Sequence, residues 1–431
     1  MLKIEVFPAS YGDSFLVTCM GKENTYLLID MGFMSTYSNS IKEKLIEINN
    51  NGESLSLIIF THVDDDHISG GIKFFSENGQ SEKTNIIKVE NVWYNSFRHL
   101  QFDKQKSGLL DNEIQKTEHK KNEFILEDIT NKGRPKEQGY KTIDSIGVSK
   151  GSTLASLLYY YKYSDVWNSH FSSNAVTVER LHDNSNSCFR KIALNEDVKI
   201  TILSPDTDKL QALDDLWREK LVSEGFRGKI SSDKLMDDAF EVYFANIHGS
   251  NPRNRKLYNV SSDNDIMRTA NEPFEPDSTT VNGSSIAFIL EFEEKRVLFL
   301  ADSHTDIIIG KLKEIAEKEK VEKVFFNAVK VSHHGSKHNT SIELLELIDT
   351  DKYIFSTNGR GKGFTHPDIE TIFRIISVNR DRYKTLIFNY KPIHIIKIID
   401  NEELKEKYNF SIEITNDLSE GTEGFIATVT L

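Results

Sequence analysis

The sequence has few cysteines and no long apolar run. Its two cysteines, Cys19 and Cys188, stand far apart and outside any paired spacing, which argues against a disulfide framework and against a thiolate zinc site. No apolar run approaches the length of a membrane-spanning helix. Residues 1–7 carry an acid inside a short apolar stretch and are typical of a strand rather than a signal peptide. We therefore expect a cytoplasmic protein without a membrane partner.

Positive charge is also in short supply. The 431 residues include 53 lysines and arginines against 66 aspartates and glutamates, a formal net charge of −13. This balance disfavours nonspecific coating of duplex nucleic acid, because phosphate binding relies on excess positive charge. A local basic mouth at an active site stays compatible with it. The candidates for such a mouth are Lys330, Lys337, Arg360 and Lys362.

One segment is rich in both histidine and aspartate. Residues 60–71 have the sequence Phe-Thr-His-Val-Asp-Asp-Asp-His-Ile-Ser-Gly-Gly, and they follow an apolar run, residues 55–59, that predicts a buried strand. The glycines at the end predict that a helix begins with residues 72–75. Adjacent carboxylates repel one another, so their position beside imidazoles favours a bound cation over a solvated acidic helix cap. Mixed oxygen and imidazole ligands suit zinc, manganese or iron better than calcium or magnesium.

Three further apolar runs end in residues of the same kind. Residues 296–301 lead into Asp302-Ser303-His304, residues 330–332 into His333-His334-Gly335-Ser336, and residues 353–357 into a glycine-rich loop that ends at His366. If these strands lie side by side with residues 55–59, their ends meet at one rim and build a single site.

Changes in the pattern of apolar and polar residues divide the chain into three stretches, 1–95, 96–280 and 281–431. In the first we predict strands at 3–7, 14–18 and 25–30 and a helix at 39–49. In the second we predict helices at 154–163 and 211–222, a strand at 198–203, and a long loop at 246–280. In the third we predict a hairpin at 285–300, a helix at 307–320, and mostly strand at 383–399.

These motifs resemble those of the metallo-β-lactamase superfamily. The segment His62-Val63-Asp64-Asp65-Asp66-His67 resembles its His-x-[His/Asp]-x-Asp-His signature, and residues 28–32, Asp302 and residues 331–336 are similar to its other motifs in the same order. In particular the chain resembles the soluble ComEC-like metallo-hydrolase domain, which shares the Gly-Asp-Ser turn of residues 12–14. The resemblance covers residues 1–95 and 281–400. It implies an α/β fold, the αββα sandwich, with 96–280 inserted as a mostly helical or irregular cap.

The resemblance also implies ligands for one or two divalent ions, Zn²⁺ or Mn²⁺. The implied ligands are His62, Asp64, Asp66, His67, Asp302, His333 and His334. Asp302 would be shared between two sites, and His334 is preferred over His333. The chain has Asn282 where the family has its remaining histidine. The second site would then be weak, empty, or completed by His182 or His248.

A metal-activated water implies a hydrolysis reaction. The resemblance further implies a phosphodiester substrate, which members of the superfamily with this variant signature commonly hydrolyse. We expect a phosphodiesterase or nuclease that acts on nucleic acid or a nucleotide. Asp64 or Asp66 would orient or deprotonate the water, and His366 would contact a phosphate or protonate a leaving group. The expected substrate-binding residues are Ser336, Lys337, Arg360 and Lys362.

Other functions remain open at this point. One alternative is a metallo-hydrolase of an ester, lactone or thioester, which would need an apolar pocket. Another is a degenerate scaffold or effector subunit of a larger assembly, of the kind found in defence loci. A Ser–His hydrolase using Ser332 or Ser336 is a weaker alternative. The partner would be a substrate, a second copy of the chain, or an unidentified protein.

Overall fold

We describe the fold from a computed structural model of the chain. The structure describes residues 1–101, 116–132, 153–179, 189–231, 233–245, 263–360, 365–415 and 426–431. The predictions for Cys188, His182, His248 and Lys362 lie outside the described residues. Strands and helices alternate along the described chain, so the predicted α/β class is confirmed.

Short strands occur along the whole described chain. They are β1 Leu2–Val6, β2 Phe15–Met20, β3 Asn24–Ile29, β4 Leu57–Ile59, β5 Val92–Trp93, β6 Lys191–Ala193, β7 Val198–Ser204, β8 Ala287–Phe292, β9 Lys295–Phe299, β10 Val324–Phe325, β11 Ala328–Lys330, β12 Ile348–Asp349, β13 Lys352–Phe355, β14 Lys384–Phe388, β15 Phe410–Ile414 and β16 Ala427–Thr430. The strands and the hairpin predicted from the sequence are among them.

The helices connect these strands and cover them. They are α1 Met34–Thr36, α2 Lys42–Asn50, α3 Asp65–Asn78, α4 Lys116–Lys132, α5 Leu154–Tyr160, α6 Thr207–Ser223, α7 Lys234–Ala245, α8 Asp263–Ala270, α9 Thr280–Gly283, α10 Thr305–Glu319, α11 Ile342–Glu346, α12 Ile369–Ser377, α13 Ile393–Ile399 and α14 Glu402–Tyr408. A π-helical segment, Tyr37–Ile41, joins α1 to α2. Among the described residues, no helix has both the length and the apolar character needed to cross a bilayer.

The strands form two large sheets within the described residues. The first has the order β16-β1-β2-β3-β4-β5 and the second the order β15-β14-β13-β11-β9-β8-β7-β6. In the second sheet β9, β11, β13, β14 and β15 are parallel, so their carboxyl ends lie at one edge. Two strands from the 96–280 stretch, β6 and β7, extend this sheet. The division of the chain at 95 and 280 stays a prediction.

Three clusters of buried apolar side chains pack the sheets against each other and the helices against the sheets. One joins the two sheets and includes Ile4 and Leu57 from the first, with Phe288 and Ile354 from the second. Another packs α2 and α3 on the other face of the first sheet and reaches α5, α6 and α7. The third packs α10 and α12 on the other face of the second sheet. Each fully buried Leu, Ile or Phe contributes roughly 1.5–3 kcal/mol, so these clusters hold the strand ends in place.

The secondary-structure predictions for two segments outside the histidine- and aspartate-rich motif are wrong, for reasons that lie in packing. The isoleucine-rich end of residues 383–399 favours a strand locally, but Pro392 starts a helix there, and Ile395 and Ile399 bury one helical face. The predicted long loop at 246–280 contains α8, where Ile266 and Ala270 pack one turn apart in the third cluster. In both places, burial against distant elements overrides the local preference.

Candidate metal centre

The histidine- and aspartate-rich motif spans the end of β4 and the first turn of α3. The helix begins at Asp65, so the prediction that it begins after the glycines is wrong. Gly70 and Gly71 lie inside the helix, at positions where its packing leaves no space for a side chain. A Cβ atom at Gly70 would stand 2.1 Å from the Met31 carbonyl oxygen, and one at Gly71 would stand 2.4 Å from the Phe60 ring. This close contact presses the first turn, with its ligands, against the first sheet.

The four chemistry-bearing strand ends meet, but they come from both sheets. The strands β9, β11 and β13 are neighbours in the second sheet, whereas β4 belongs to the first. Side-chain atoms of His62, His67 and Asp302 lie within 4.8 Å of one another, as do those of Asp66, His67 and His334. The site therefore lies where an edge of one sheet faces an edge of the other.

Hydrogen bonds orient the imidazoles of His67 and His334. The Nδ1 atom of His67 lies 2.8 Å from Oδ2 of Asp30, and Nδ1 of His334 lies 3.0 Å from the Ser356 carbonyl oxygen. A carboxylate and a carbonyl can only accept, so each Nδ1 carries a proton, and Nε2 is the nitrogen that offers its lone pair to a metal ion once the ring is neutral. Such outer partners are typical of metal-binding histidines.

The other two imidazoles are held in the same way. Thr61 donates its hydroxyl proton to Asp30 over 2.8 Å and so accepts from Nδ1 of His62 over 3.1 Å. The Nδ1 atom of His333 lies 3.0 Å from Oδ1 of Asn339. The buried Nε2 atoms of His62 and of the neighbouring His67 have no hydrogen-bond partner. Buried polar atoms are rarely left unpaired, so these orphaned nitrogens fit a metal ion.

Asp302 lies among three of the imidazoles. Its Oδ2 atom is 3.8 Å from Nε2 of His62, 3.9 Å from Nε2 of His67 and 3.5 Å from Nε2 of His333. These separations are long for hydrogen bonds. They are close to the roughly 3.4 Å between neighbouring ligands that bind zinc tetrahedrally at about 2.1 Å. The donor set thus has the spacing of metal ligands.

The two remaining carboxylates lie on opposite sides of Asp302, and they divide the centre into a half around His62 and a half around His334. Asp64 Oδ2 lies 3.5 Å from Nε2 of His62. Asp66 Oδ2 lies 3.6 Å from Nε2 of His334 and 4.0 Å from Nε2 of His67. The structure therefore brings together all the predicted ligands, with Asp302 between the two halves.

The pKa values show how much negative charge is concentrated here. Burial alone would lower the pKa of His67, but the carboxylates of Asp30 and Asp66 hold it well above its usual range. Burial also opposes protonation of His334, yet Asp13 and Asp302 raise its pKa to about 10. Metal-free histidines in such a field bind protons strongly, so a metal ion must displace those protons.

Asp277 is a member of the site that the sequence did not reveal. Its Oδ2 atom accepts hydrogen bonds from Asn282 over 2.6 Å and from Asn339 over 3.1 Å, and lies 3.7 Å from Nδ1 of His333. The Asn282 amide nitrogen is itself 3.4 Å from the same Nδ1 atom. Asn282 thus belongs to the group that orients His333. Asp277 lies in the stretch 246–280, predicted as a loop, and no sequence motif marks it.

Two histidines near the centre hold the segment that carries Asp277. His304 Nε2 lies 2.8 Å from the carbonyl oxygen of Thr279, and His338 Nδ1 lies 2.6 Å from that of Glu275. Neither belongs to a cluster of metal-ligand atoms among the described residues. Both imidazoles contact backbone carbonyl groups instead.

Asp13, in the Gly-Asp-Ser turn, is the outer partner of His334. Its Oδ1 atom lies 3.2 Å from Nδ1 of His334, and its Oδ2 atom lies 2.5 Å from the ammonium of Lys330. Lys330 is only 1% exposed, so its proposed place in a basic mouth is wrong. Its charge instead balances Asp13 inside the protein.

The predicted substrate-binding residues have different surroundings. Lys337 places its ammonium 2.7 Å from Glu370, and Ser336 is buried, with its hydroxyl accepting from the backbone of His338. Arg360 is exposed on the loop after β13. Their roles in binding stay predictions.

His366 is buried beside the centre. Its ring centroid lies 5.1 Å from that of His333, and its Nδ1 atom lies 3.4 Å from Oδ2 of Asp368. Burial lowers the pKa of His366, and His333 and His334 lower it further, whereas Asp368 opposes them. Its contact with a phosphate or a leaving group stays a prediction.

Comparisons with known proteins add no family. A scan against protein-family models finds none that matches the chain. A search of curated proteins also finds no match. The chemistry of this centre therefore has to be inferred from its donor atoms and from the clefts beside it.

Proposed function

We propose that the protein is a metal-dependent phosphodiesterase or nuclease with the αββα fold of the metallo-β-lactamase superfamily. The observation that carries this proposal is the position of Asp302, with Oδ2 between 3.5 and 3.9 Å from the Nε2 atoms of three histidines. The pairing of two facing sheets with outer helices supports the fold assignment.

The donor set fits two divalent ions, Zn²⁺ or Mn²⁺. Asp66, His67 and His334 would hold one of them, and Asp302 would be shared with the other. The second ion would be held by His62, Asp64 and His333. Imidazole and carboxylate are suitable ligands for both metals. With His333 facing Asp302, the second half has a histidine in spite of Asn282.

When bound, a divalent ion lowers the pKa of water and supplies hydroxide near neutral pH. Asp64 is buried next to His62 and is placed to orient the attacking water or to accept its proton. His366, whose lowered pKa favours the neutral imidazole, would donate a hydrogen bond to a phosphate or leaving-group oxygen. No protein nucleophile is required, and Ser332 is not needed as one.

The surroundings favour a phosphodiester over an ester or thioester. Among the described residues, a cleft beside Asp65 is lined mainly by hydroxyl, amide and aromatic groups together with Arg360, without a Leu, Ile or Val side chain. An acyl chain there would leave the hydroxyl and amide groups without hydrogen-bond partners. A phosphate with its sugar or base would find hydrogen-bond partners in them.

The test combines metal analysis with two substrates. We would measure bound metal, hydrolysis of bis-p-nitrophenyl phosphate and hydrolysis of p-nitrophenyl butyrate, each with added Zn²⁺ or Mn²⁺. We expect about two ions per chain and turnover of the phosphodiester that Asp302→Ala abolishes and that Tyr383→Ala, at an exposed side chain, retains. Turnover of the carboxylic ester alone would overturn the choice of substrate. A chain with neither metal nor turnover would be a binding scaffold.

A further inference from the structure

A cleft of about 520 Å³ opens beside the metal centre. One wall is the turn at Ser10 and Tyr11 together with Phe33 and the helical segment that follows it, and the other is the loop from Asn358 to Arg360. Asp65, the residue between the ligands Asp64 and Asp66, also lines it. The volume lies in the range of pockets that hold small organic ligands.

Both walls continue the segments that hold the metal ligands. Gly12, next to Tyr11, packs so closely that a Cβ atom would lie 2.2 Å from the Asp66 carbonyl oxygen. Asn358 follows the segment of Ser356, whose carbonyl oxygen accepts from His334. A group in the cleft would therefore be next to the reacting atoms.

Hydrogen bonds join the two walls. The backbone nitrogen of Asn358 donates to the Ser10 carbonyl oxygen over 2.8 Å, and its side-chain amide donates to Ser10 Oγ over 2.7 Å. The Tyr390 hydroxyl accepts from the Ser10 nitrogen over 3.2 Å. The cleft is thus preformed, which lowers the entropic cost of binding.

Two aromatic rings form a platform in this cleft. Tyr11 and Phe33 contact each other edge to face, with ring centroids 4.9 Å apart and planes at 71°. Both rings are partly exposed. Paired aromatic rings at a partly exposed site are typical stacking surfaces for unpaired bases.

The polar groups define which part of a substrate would fit. Asn39 and Ser40 offer amide and hydroxyl groups that can bond to the edge of a base or to a sugar hydroxyl. The Asp65 carboxylate would repel a second phosphate. Arg360, exposed at the rim, is placed to meet a neighbouring phosphate instead.

A larger cleft, of about 780 Å³, lies beside Asp277, but its cations are already engaged. The Lys209 ammonium pairs with Asp306 over 2.9 Å. The Arg374 guanidinium donates to the carbonyl oxygens of Lys337 and Thr340. The smaller cleft, which presents the Tyr11–Phe33 pair of aromatic rings, is the better candidate for substrate.

We propose that the cleft between Tyr11, Phe33 and Asn358 holds the base and sugar next to the scissile phosphate. The inference rests on the proposed function and narrows its substrate to single-stranded nucleic acid or a nucleotide diester. A base paired and stacked within a duplex cannot present its face to these rings, so duplex ends would have to fray before they are cut.

The experiment compares two diesters that share a leaving group. Thymidine 5′-(p-nitrophenyl phosphate) carries a base and sugar, and methyl p-nitrophenyl phosphate carries neither. We would measure kcat/KM for both and take their ratio for the unmodified chain, Tyr11→Ala and Phe33→Leu. The control is Tyr383→Ala, which changes an exposed tyrosine at the end of β14 opposite to Tyr390.

We expect the unmodified chain to prefer the thymidine ester and each cleft variant to lower the ratio about 5- to 150-fold, as the loss of a stacked base predicts. The control should leave the ratio unchanged. Bound metal, measured on every variant, shows whether the centre has folded. A ratio unaffected by the cleft variants, or a ratio near one for the unmodified chain, would overturn the inference while leaving the proposed function intact. No turnover of either diester by the metal-loaded chain would instead count against the proposed function.

Discussion

The Nε2 atom of His333 lies 3.5 Å from Oδ2 of Asp302, while that of the adjacent His334 faces Asp66 at 3.6 Å. Both histidines adopt left-handed backbone angles, with φ of 45° and 54°, which is uncommon outside glycine. This conformation splays the two rings, whose planes differ by 69°. One His-His pair thereby supplies an imidazole to each half of the centre.

The first prediction concerns how many ions each ligand holds. Asp302→Ala should lose both ions, because its carboxylate lies between the two halves. His333→Ala should keep one, since the half formed by Asp66 and its two histidines stays complete. Elemental analysis after dialysis against Zn²⁺ gives the stoichiometry, with Tyr383→Ala, at an exposed side chain, as a control that should retain both ions. Loss of both ions from His333→Ala would contradict the division into two halves.

The second prediction concerns Asp277 as a residue that positions His333. Asp277→Asn should weaken one of the two ions roughly 10- to 100-fold and leave the other unchanged, as loss of an outer partner typically does. Competition with a chromophoric chelator would measure both affinities. Asp306→Asn is the matched control, because this exposed carboxylate pairs only with Lys209 in the salt bridges of the described residues. Equal weakening of both ions would show that Asp277 acts on the fold rather than on His333.

The third prediction follows from the raised pKa values of the buried histidines. The pKa of His334 is about 10 in the folded chain, against about 6.5 when unfolded. Its protonation therefore stabilises the metal-free fold fully below pH 6.5, and this contribution is lost as pH rises toward 10. Urea unfolding in chelator should show this decline, and His334→Gln should make it shallower. Added Zn²⁺ should reverse the trend, because metal binds the deprotonated imidazoles.

The fourth prediction uses one substitution at two helical glycines. Gly70→Ala should destabilise the chain by about 1–3 kcal/mol and lower metal affinity, because the added Cβ would meet the Met31 backbone at 2.1 Å. Gly310→Ala in α10 should be neutral or stabilising by up to about 1 kcal/mol, since no other described residue outside the adjacent helical backbone comes within 4 Å of its Cβ position. Thermal and urea unfolding of both variants measures the difference. The same sign at both positions would contradict the close packing of α3.

Much of the fold class and the candidate ligands could be predicted from the sequence. Apolar runs that end in His62, Asp302 and the His333-His334 pair are local patterns, and they identify strands and donor atoms without knowledge of the rest of the chain. The position of the helix start at Asp65 could not be predicted in this way. The glycines favour a break locally, whereas in the fold Gly70 lies inside the helix and packs against Met31, a residue far away in sequence.

By itself, the sequence determined which donor atoms are available and that they follow buried strands. Only the tertiary structure decided how those atoms are divided, that His333 and His334 face different halves, and that Asp277 orients one of them. It also buried Lys330 against Asp13, where the sequence favoured an exposed charge. The physical reason is that side-chain periodicity and turn chemistry act over a few residues. The partners of a buried charge are set by contacts between distant segments.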